Sequence, residues 1–303
     1  MNTNFRFLLM LLIVFCGLNP LLSHGEEDID GYLKKAKQGD VEAQRMLGFS
    51  YANGIGVEKN EAEAVKWYRI AADKGDEGGQ FYLGECYANG MGVEKNEAEA
   101  VKWYRKAAEQ GGQEAQWKLG SSYAEGVGIE KNAAEAVKWY RKAAEQGNTA
   151  GQLYLGDCYA KGHGVVKNDV VAAEWIRKSA EKGNFHAQHY LGMFYANGMG
   201  VEKNEAEAVK WYRKAADKGI PGAQLNLGVM YKNGDGVVKN IIEAYKWSLL
   251  AAANGIEPAK INVETIESTL TPEQRVEGQR LATEWQSEFE KKYNIELPDK
   301  ITF

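Results

Sequence analysis

The sequence is poor in the residues from which catalytic and metal sites are usually built. Its 303 residues include three cysteines and four histidines. It contains no Gly-x-Ser-x-Gly elbow and no His-Glu-x-x-His helix. Acidic and basic residues nearly balance, 42 against 37, for a net charge of −5. A nucleic-acid surface needs an excess of Lys and Arg on one face, so no nucleic-acid partner is expected. Past residue 25 no apolar run reaches the roughly 18 residues of a membrane span, so the mature chain is not expected to insert.

What is abundant is repetition. Trp67, Trp103, Trp139, Trp175, Trp211 and Trp247 recur every 36 residues without slippage. In the same register stand six Leu-Gly pairs, from Leu47-Gly48 to Leu227-Gly228, each followed by a tyrosine from Tyr51 to Tyr231. A fixed period of this length marks a helical array that grows by adding units rather than by enlarging one core. Chemistry of its own is not expected of such a chain.

Within residues 42–77, Ala43, Leu47, Gly48 and Tyr51 share one face of a first helix. Gly54-Ile55-Gly56 then breaks it with a left-handed cap. Asn60 opens the second helix, and Glu63 at its third position predicts a reciprocal capping box. Gly48 leaves room for a large ring from that helix, and the indole of Trp67 is the expected filler. The ends read as half-repeats. Tyr32, Ala36 and Gly39 predict an N-terminal capping helix, and Ala259 starts a closing one. Thr271-Pro272-Glu273 begins a last helix of about 20 residues, whose Leu281, Trp285 and Phe289 are expected to seal the final repeat. The expected fold is thus all-α: a right-handed α/α solenoid of six 36-residue helix-turn-helix repeats with capping helices at both ends. The boundaries are 1–25 for a signal peptide, 26–40 for the N-terminal cap, 41–257 for the repeats, and 258–303 for the C-terminal caps and tail.

The first 25 residues have the pattern of a secretory signal, with Arg6, an apolar run from Phe7 to Leu18, and small residues placing cleavage after Gly25. A periplasmic or secreted location follows as an expectation. Cys16 falls inside the segment removed, leaving Cys86 and Cys158 two repeats apart at one repeat position. Helices pack roughly 8–10 Å apart, so about 20 Å separates the two. A disulfide requires Cα atoms within about 7 Å. Buried thiols are expected, with an intermolecular bridge as the alternative.

The string A-x-x-x-L-G-x-x-Y-x-x-G-x-G-V, followed by K-N-x-x-x-A-x-x-W-Y-x-K-A-A-x-x-G, resembles the Sel-one-like repeat family, a branch of the tetratricopeptide-type arrays. The resemblance covers about residues 39 to 260. It implies an α/α superhelix that holds other proteins, with no cofactor. Adaptor, envelope-signalling and cell-wall-associated roles occur in the family, and some periplasmic members are immunity partners of secreted lipase toxins. A cysteine-rich branch is linked to penicillin binding and hydrolysis, but the paired cysteines of that branch are missing here.

The second helix hardly varies, with Ala-Val-Lys-Trp-Tyr-Arg at 64–69, 100–105, 136–141 and 208–213. The first helix varies on the face opposite its core stripe. After the repeated Gln stand Arg45, Phe81, Trp117, Leu153, His189 and Leu225, then Met46, Tyr82, Lys118, Tyr154, Tyr190 and Asn226. One turn later come Phe49, Glu85, Ser121, Asp157, Met193 and Val229. Aromatic anchors beside isolated charges suit a protein partner. The expected partner-binding groove is therefore Arg45, Phe49, Phe81, Tyr82, Glu85, Trp117, Lys118, Tyr154, Asp157, His189, Tyr190 and Met193, and the partner an envelope protein or a toxin effector. Packing between repeats is the competing use of the same rings. Weaker signals are His186 and His189, which lack a third metal ligand nearby, and Ser179-Ala180-Glu181-Lys182, a Ser-x-x-Lys string without its companion elements.

Overall fold

A computed structural model describes residues 29–295. The expected signal segment and its cleavage position lie outside them. Every regular element among the described residues is a helix, and none is long and apolar enough to cross a membrane. The chain is an all-α solenoid of six repeats.

The helices fall into two units that divide between Gln146 and Gly147. The first holds the cap α1 (Ile29–Lys37) and three helix pairs: α2 (Val41–Asn53) with α3 (Glu61–Asp73), α4 (Glu77–Asn89) with α5 (Glu97–Glu109), and α6 (Gln113–Glu125) with α7 (Ala133–Glu145). The second holds α8 (Thr149–Lys161) with α9 (Asp169–Glu181), α10 (Phe185–Asn197) with α11 (Glu205–Ala216), and α12 (Pro221–Asn233) with α13 (Ile241–Ala253). It closes with α14 (Glu257–Glu267) and the 22-residue α15 (Pro272–Tyr293). Thr271 and Gln274 form a complete capping box at the start of α15. Trp285 and Phe289 stack at 4.9 Å, and Trp285 meets Trp247 edge-on, so the last helix covers the final pair as expected.

Each pair is built the same way. The first helix buries its Leu and Gly, from Leu47 to Leu227, and ends on a left-handed glycine such as Gly54 at φ 70°. A second glycine follows for a different reason. A Cβ on Gly92 would lie 2.1 Å from the Glu61 carbonyl oxygen, so only glycine lets this turn reach the start of the preceding second helix.

Two expectations are corrected. The space beside Gly48 is filled by Tyr68, not Trp67: a Cβ there would lie 2.5 Å from Tyr68 Cδ1. Gly84, Gly120 and Gly192 likewise face Tyr104, Tyr140 and Tyr212. Trp67 stands one residue earlier, about 100° round the helix. That rotation turns the indole column toward the preceding repeat, where Trp103 packs with Ala64, Val65 and Tyr68, and Trp139 with Ala100, Val101 and Tyr104. The capping box is also half-formed. Asn60 accepts from Glu63 N at 3.0 Å, but the Asn60 N–H donates to the Tyr51 carbonyl at 2.8 Å, and the Glu63 carboxylate pairs with Lys66. The turn that joins the two helices thus takes the donor that a capping glutamate would otherwise accept from.

Candidate protein-binding face

The buried Gln of each first helix sets the face. Gln44, Gln80, Gln116, Gln188 and Gln224 send Nε2 to the carbonyls of Ala36, Ala72, Ala108, Ala180 and Ala216 at 2.9–3.4 Å. These carbonyls belong to the last turn of the preceding helix, where no intrahelical donor reaches them all. With Gln and Leu held inward three residues apart, the two residues between them emerge at the edge of the core.

In the first unit those residues and their neighbours form a continuous half-buried strip. Arg45 Nε lies 3.2 Å from Asp76. Phe49 meets Tyr82 at 6.3 Å, Tyr82 stacks on Tyr68 at 5.1 Å, and Phe81 packs on Tyr104 at 6.1 Å. The Tyr104 hydroxyl donates to the Glu85 carboxylate, which also pairs with Lys118 at 2.9 Å. Burial, then the Glu85 charge, pushes the Tyr104 phenol far above its usual range. The Trp117 indole N–H donates to Glu114 at 2.8 Å, and Lys118 sits 5.1 Å from the Trp117 ring. Arg45, Phe49, Phe81, Tyr82, Glu85, Trp117 and Lys118 therefore share one surface.

In the second unit the candidates are more dispersed. Tyr154 is the most open, at 39% exposure, and Asp157 pairs with Lys161 of its own helix at 2.7 Å. His189 is tucked against Tyr212 at 5.8 Å and its Nε2 meets Asn226 Nδ2 at 3.1 Å. Burial, then the neighbouring His186, pulls the His189 ring down to about 4, so it is neutral at pH 7. Met193 and Tyr190 lie half-buried against the cores of this unit. Met46 and Leu153, which belong to the same variable columns, are buried.

The Leu-Gly pair, the Asn cap and the inter-repeat indole thus recur through both units. The family model described as Sel1 repeat matches residues 41–76, 78–112, 113–148, 149–184, 185–220 and 221–256. The chain belongs to the Sel1 repeat family. A Sel1 repeat protein from Oxalobacter formigenes is 36% identical over 74% of this chain and 96% of that one, with a TM-score of 0.66. A protective antigen of uropathogenic Escherichia coli strains, displaying an SLR fold, is 32% identical over 91% of this chain and 68% of its own, with a TM-score of 0.59. An immunity protein from Pseudomonas aeruginosa is 17% identical over 86% of both chains, with a TM-score of 0.47. No curated protein matches the chain. Sel1 repeats are in general a non-catalytic scaffold suited to protein–protein interaction.

In that scaffold the Ser-x-x-Lys string takes up a packing position. Ser179 is fully buried and its hydroxyl donates to the Thr149 carbonyl at 2.7 Å, while Lys182 Nζ is engaged with the Gly147 carbonyl at 2.9 Å. The Ser-x-x-Lys string is part of the Sel1 packing, and no nucleophile faces solvent there. Among the described residues no cluster of three or more His, Cys, Asp or Glu side chains is placed to hold a metal. Cys86 and Cys158 are both free and buried. Two features were missed in the sequence. The Gln column looked like a landmark rather than a linking bond, and the Tyr104–Glu85–Lys118 chain joins positions 14 to 33 residues apart. The sequence sign of the second was Glu85, one of two acidic residues in a column otherwise partly apolar.

Proposed function

We propose that this Sel1 repeat protein is an adaptor of the bacterial envelope that holds a partner protein on its first-helix face and has no chemistry of its own. The observation that carries the reading is the joined strip of Phe49, Phe81, Tyr82 and Trp117 with Glu85 and Lys118, set on second helices that are nearly invariant. Large rings half out of the core, beside charges already oriented by partners, form a low-entropy contact surface. An exported, periplasmic location is part of the proposal and is supported by the N-terminal charge and apolar pattern.

The test is a paired capture from envelope fractions with the wild-type chain and a Phe81→Ala/Trp117→Ala/Tyr154→Ala variant. A protein retained by the first and lost by the second, with unchanged helical circular dichroism, supports the reading. Equal retention by both sinks it. Neutralisation of a secreted lipase toxin is the narrower form, supported by the near identity of the internal copies, which suits rapid change of partner. Co-expression that leaves cells unprotected against such a toxin ends that form and leaves the adaptor reading intact.

A further inference from the structure

Among the described residues, Asn53, Asn89, Asn197, Asn233 and Asn254 each precede a glycine and stand exposed at the end of a helix. In four of them the side chain is held against the helix it ends. Nδ2 donates to the carbonyl four residues back, Asn53 to Phe49 and Asn89 to Glu85 at 2.9 Å, Asn197 to Met193 and Asn254 to Leu250 at 2.8 Å. Asn233 departs from them. Its Nδ2 donates forward, to Asp235 Oδ2 at 2.9 Å. The cause lies in the sequence: two places on from the other four stand Ile55, Met91, Met199 and Ile256, and only here an aspartate.

An Asn-Gly pair carries its own reagents. The glycine N attacks the asparagine Cγ, the new C–N bond closes a succinimide ring, and Nδ2 leaves as ammonia with the proton of the glycine amide. Water then opens the ring at either carbonyl, giving aspartate or isoaspartate. Glycine has no side chain to crowd the closure. In the folded chain the step waits on opening of the helix end. Gly54, Gly90, Gly198 and Gly234 donate their N–H to the carbonyls of Ser50, Cys86, Phe194 and Met230, and Gly255 donates to Ala252. At four sites that opening must also break the bond from the asparagine side chain to the last turn. The Asn233 amide is tethered instead to the turn that carries the attacking nitrogen, so the helix end opens without losing that bond.

We infer that Asn233 is the spontaneous deamidation site of this chain, converting to aspartate and isoaspartate ahead of the other four. The inference is independent of the use of the first-helix face. The product sets a carboxylate at the C-terminal end of α12, where the helix dipole disfavours it, and close to Asp235. The turn has little room to adjust. A Cβ on Gly236 would lie 2.2 Å from the Glu205 carbonyl carbon, so this segment is wedged against the start of α11 and cannot take up the longer main chain of isoaspartate. Conversion therefore loosens the last repeat from the one before it.

The test holds the full chain at pH 8 for days and follows each Asn-Gly pair by peptide mapping. Asn233 is expected to convert about five-fold faster than the others, the effect of one hydrogen bond fewer to break. That lead is expected to vanish in denaturant. Asp235→Met installs the residue type found at positions 91 and 199, and is expected to slow Asn233 to the rate of Asn89 and Asn197. Asn233 converting no faster than the others in the folded chain overturns the inference. So does a lead that survives in denaturant or in Asp235→Met, because the fold would then not be its source. Asn233→Asp carries the charge of the product and is expected to melt below wild type. An unchanged midpoint overturns the loosening.

Discussion

Gly84 lies so close beneath Tyr104 that a Cβ on it would be 2.7 Å from Cδ1 of the ring. The same tyrosine sends its hydroxyl to Glu85, the residue next to that glycine. One side chain therefore closes the helix pair with its ring and orients the face with its oxygen. Gly84→Ala must push the ring aside and is expected to destabilise the chain by about 1–3 kcal/mol, the usual cost of overpacking. Thermal unfolding followed by circular dichroism measures it, and a melting temperature equal to wild type contradicts the packing described.

Gln116 joins α6 to α5 and α7 at once. Its Nε2 donates to the Ala108 carbonyl at 3.2 Å, and its Oε1 accepts from Gln146 Nε2 at 2.8 Å. Gln116→Leu conserves bulk but leaves the buried carbonyl without this donor. A loss of about 1–3 kcal/mol in urea unfolding is expected. An unchanged midpoint would show that the ladder contributes nothing beyond its volume.

His189 gives stability a defined pH dependence. Its folded value is pulled from 6.5 to about 4, so the unfolded chain binds the proton more readily between these values. Stability from this residue is complete above pH 6.5 and falls as pH drops toward 4, by up to about 3 kcal/mol. His189→Gln removes that term. The difference in unfolding free energy between wild type and variant, taken at pH 7, 5.5 and 4, is therefore expected to shift against wild type as pH falls. A pH-independent difference rules out a buried neutral ring.

Burial pushes the thiols of Cys86 and Cys158 up to about 12 and about 11, so little thiolate forms near neutrality. Iodoacetamide followed by peptide mapping is expected to find both unmodified in the native chain at pH 8 and both modified in denaturant. Modification of either in the native chain within minutes contradicts its burial.

The 36-residue period, the glycine stops and the Asn caps fixed helix identity and order locally, because caps and turns act within a few residues of chain. The sequence also showed which helix varies between copies. It could not show which ring meets which glycine. Trp67 and Tyr68 are adjacent in the chain, and only the angle between them sends one to the preceding repeat and the other to Gly48. The same limit applied to Glu63, whose capping bond was displaced by the Tyr51 carbonyl of the preceding helix. On the candidate face, Phe81, Glu85 and Lys118 were legible as variable residues. Their union through Tyr104 was not, since it depends on ring packing and hydrogen bonds across three helices. Periodicity determined the scaffold; the joining of separate repeats into one charged aromatic surface was decided by tertiary packing, where side chains distant in sequence compete for the same space and the same protons.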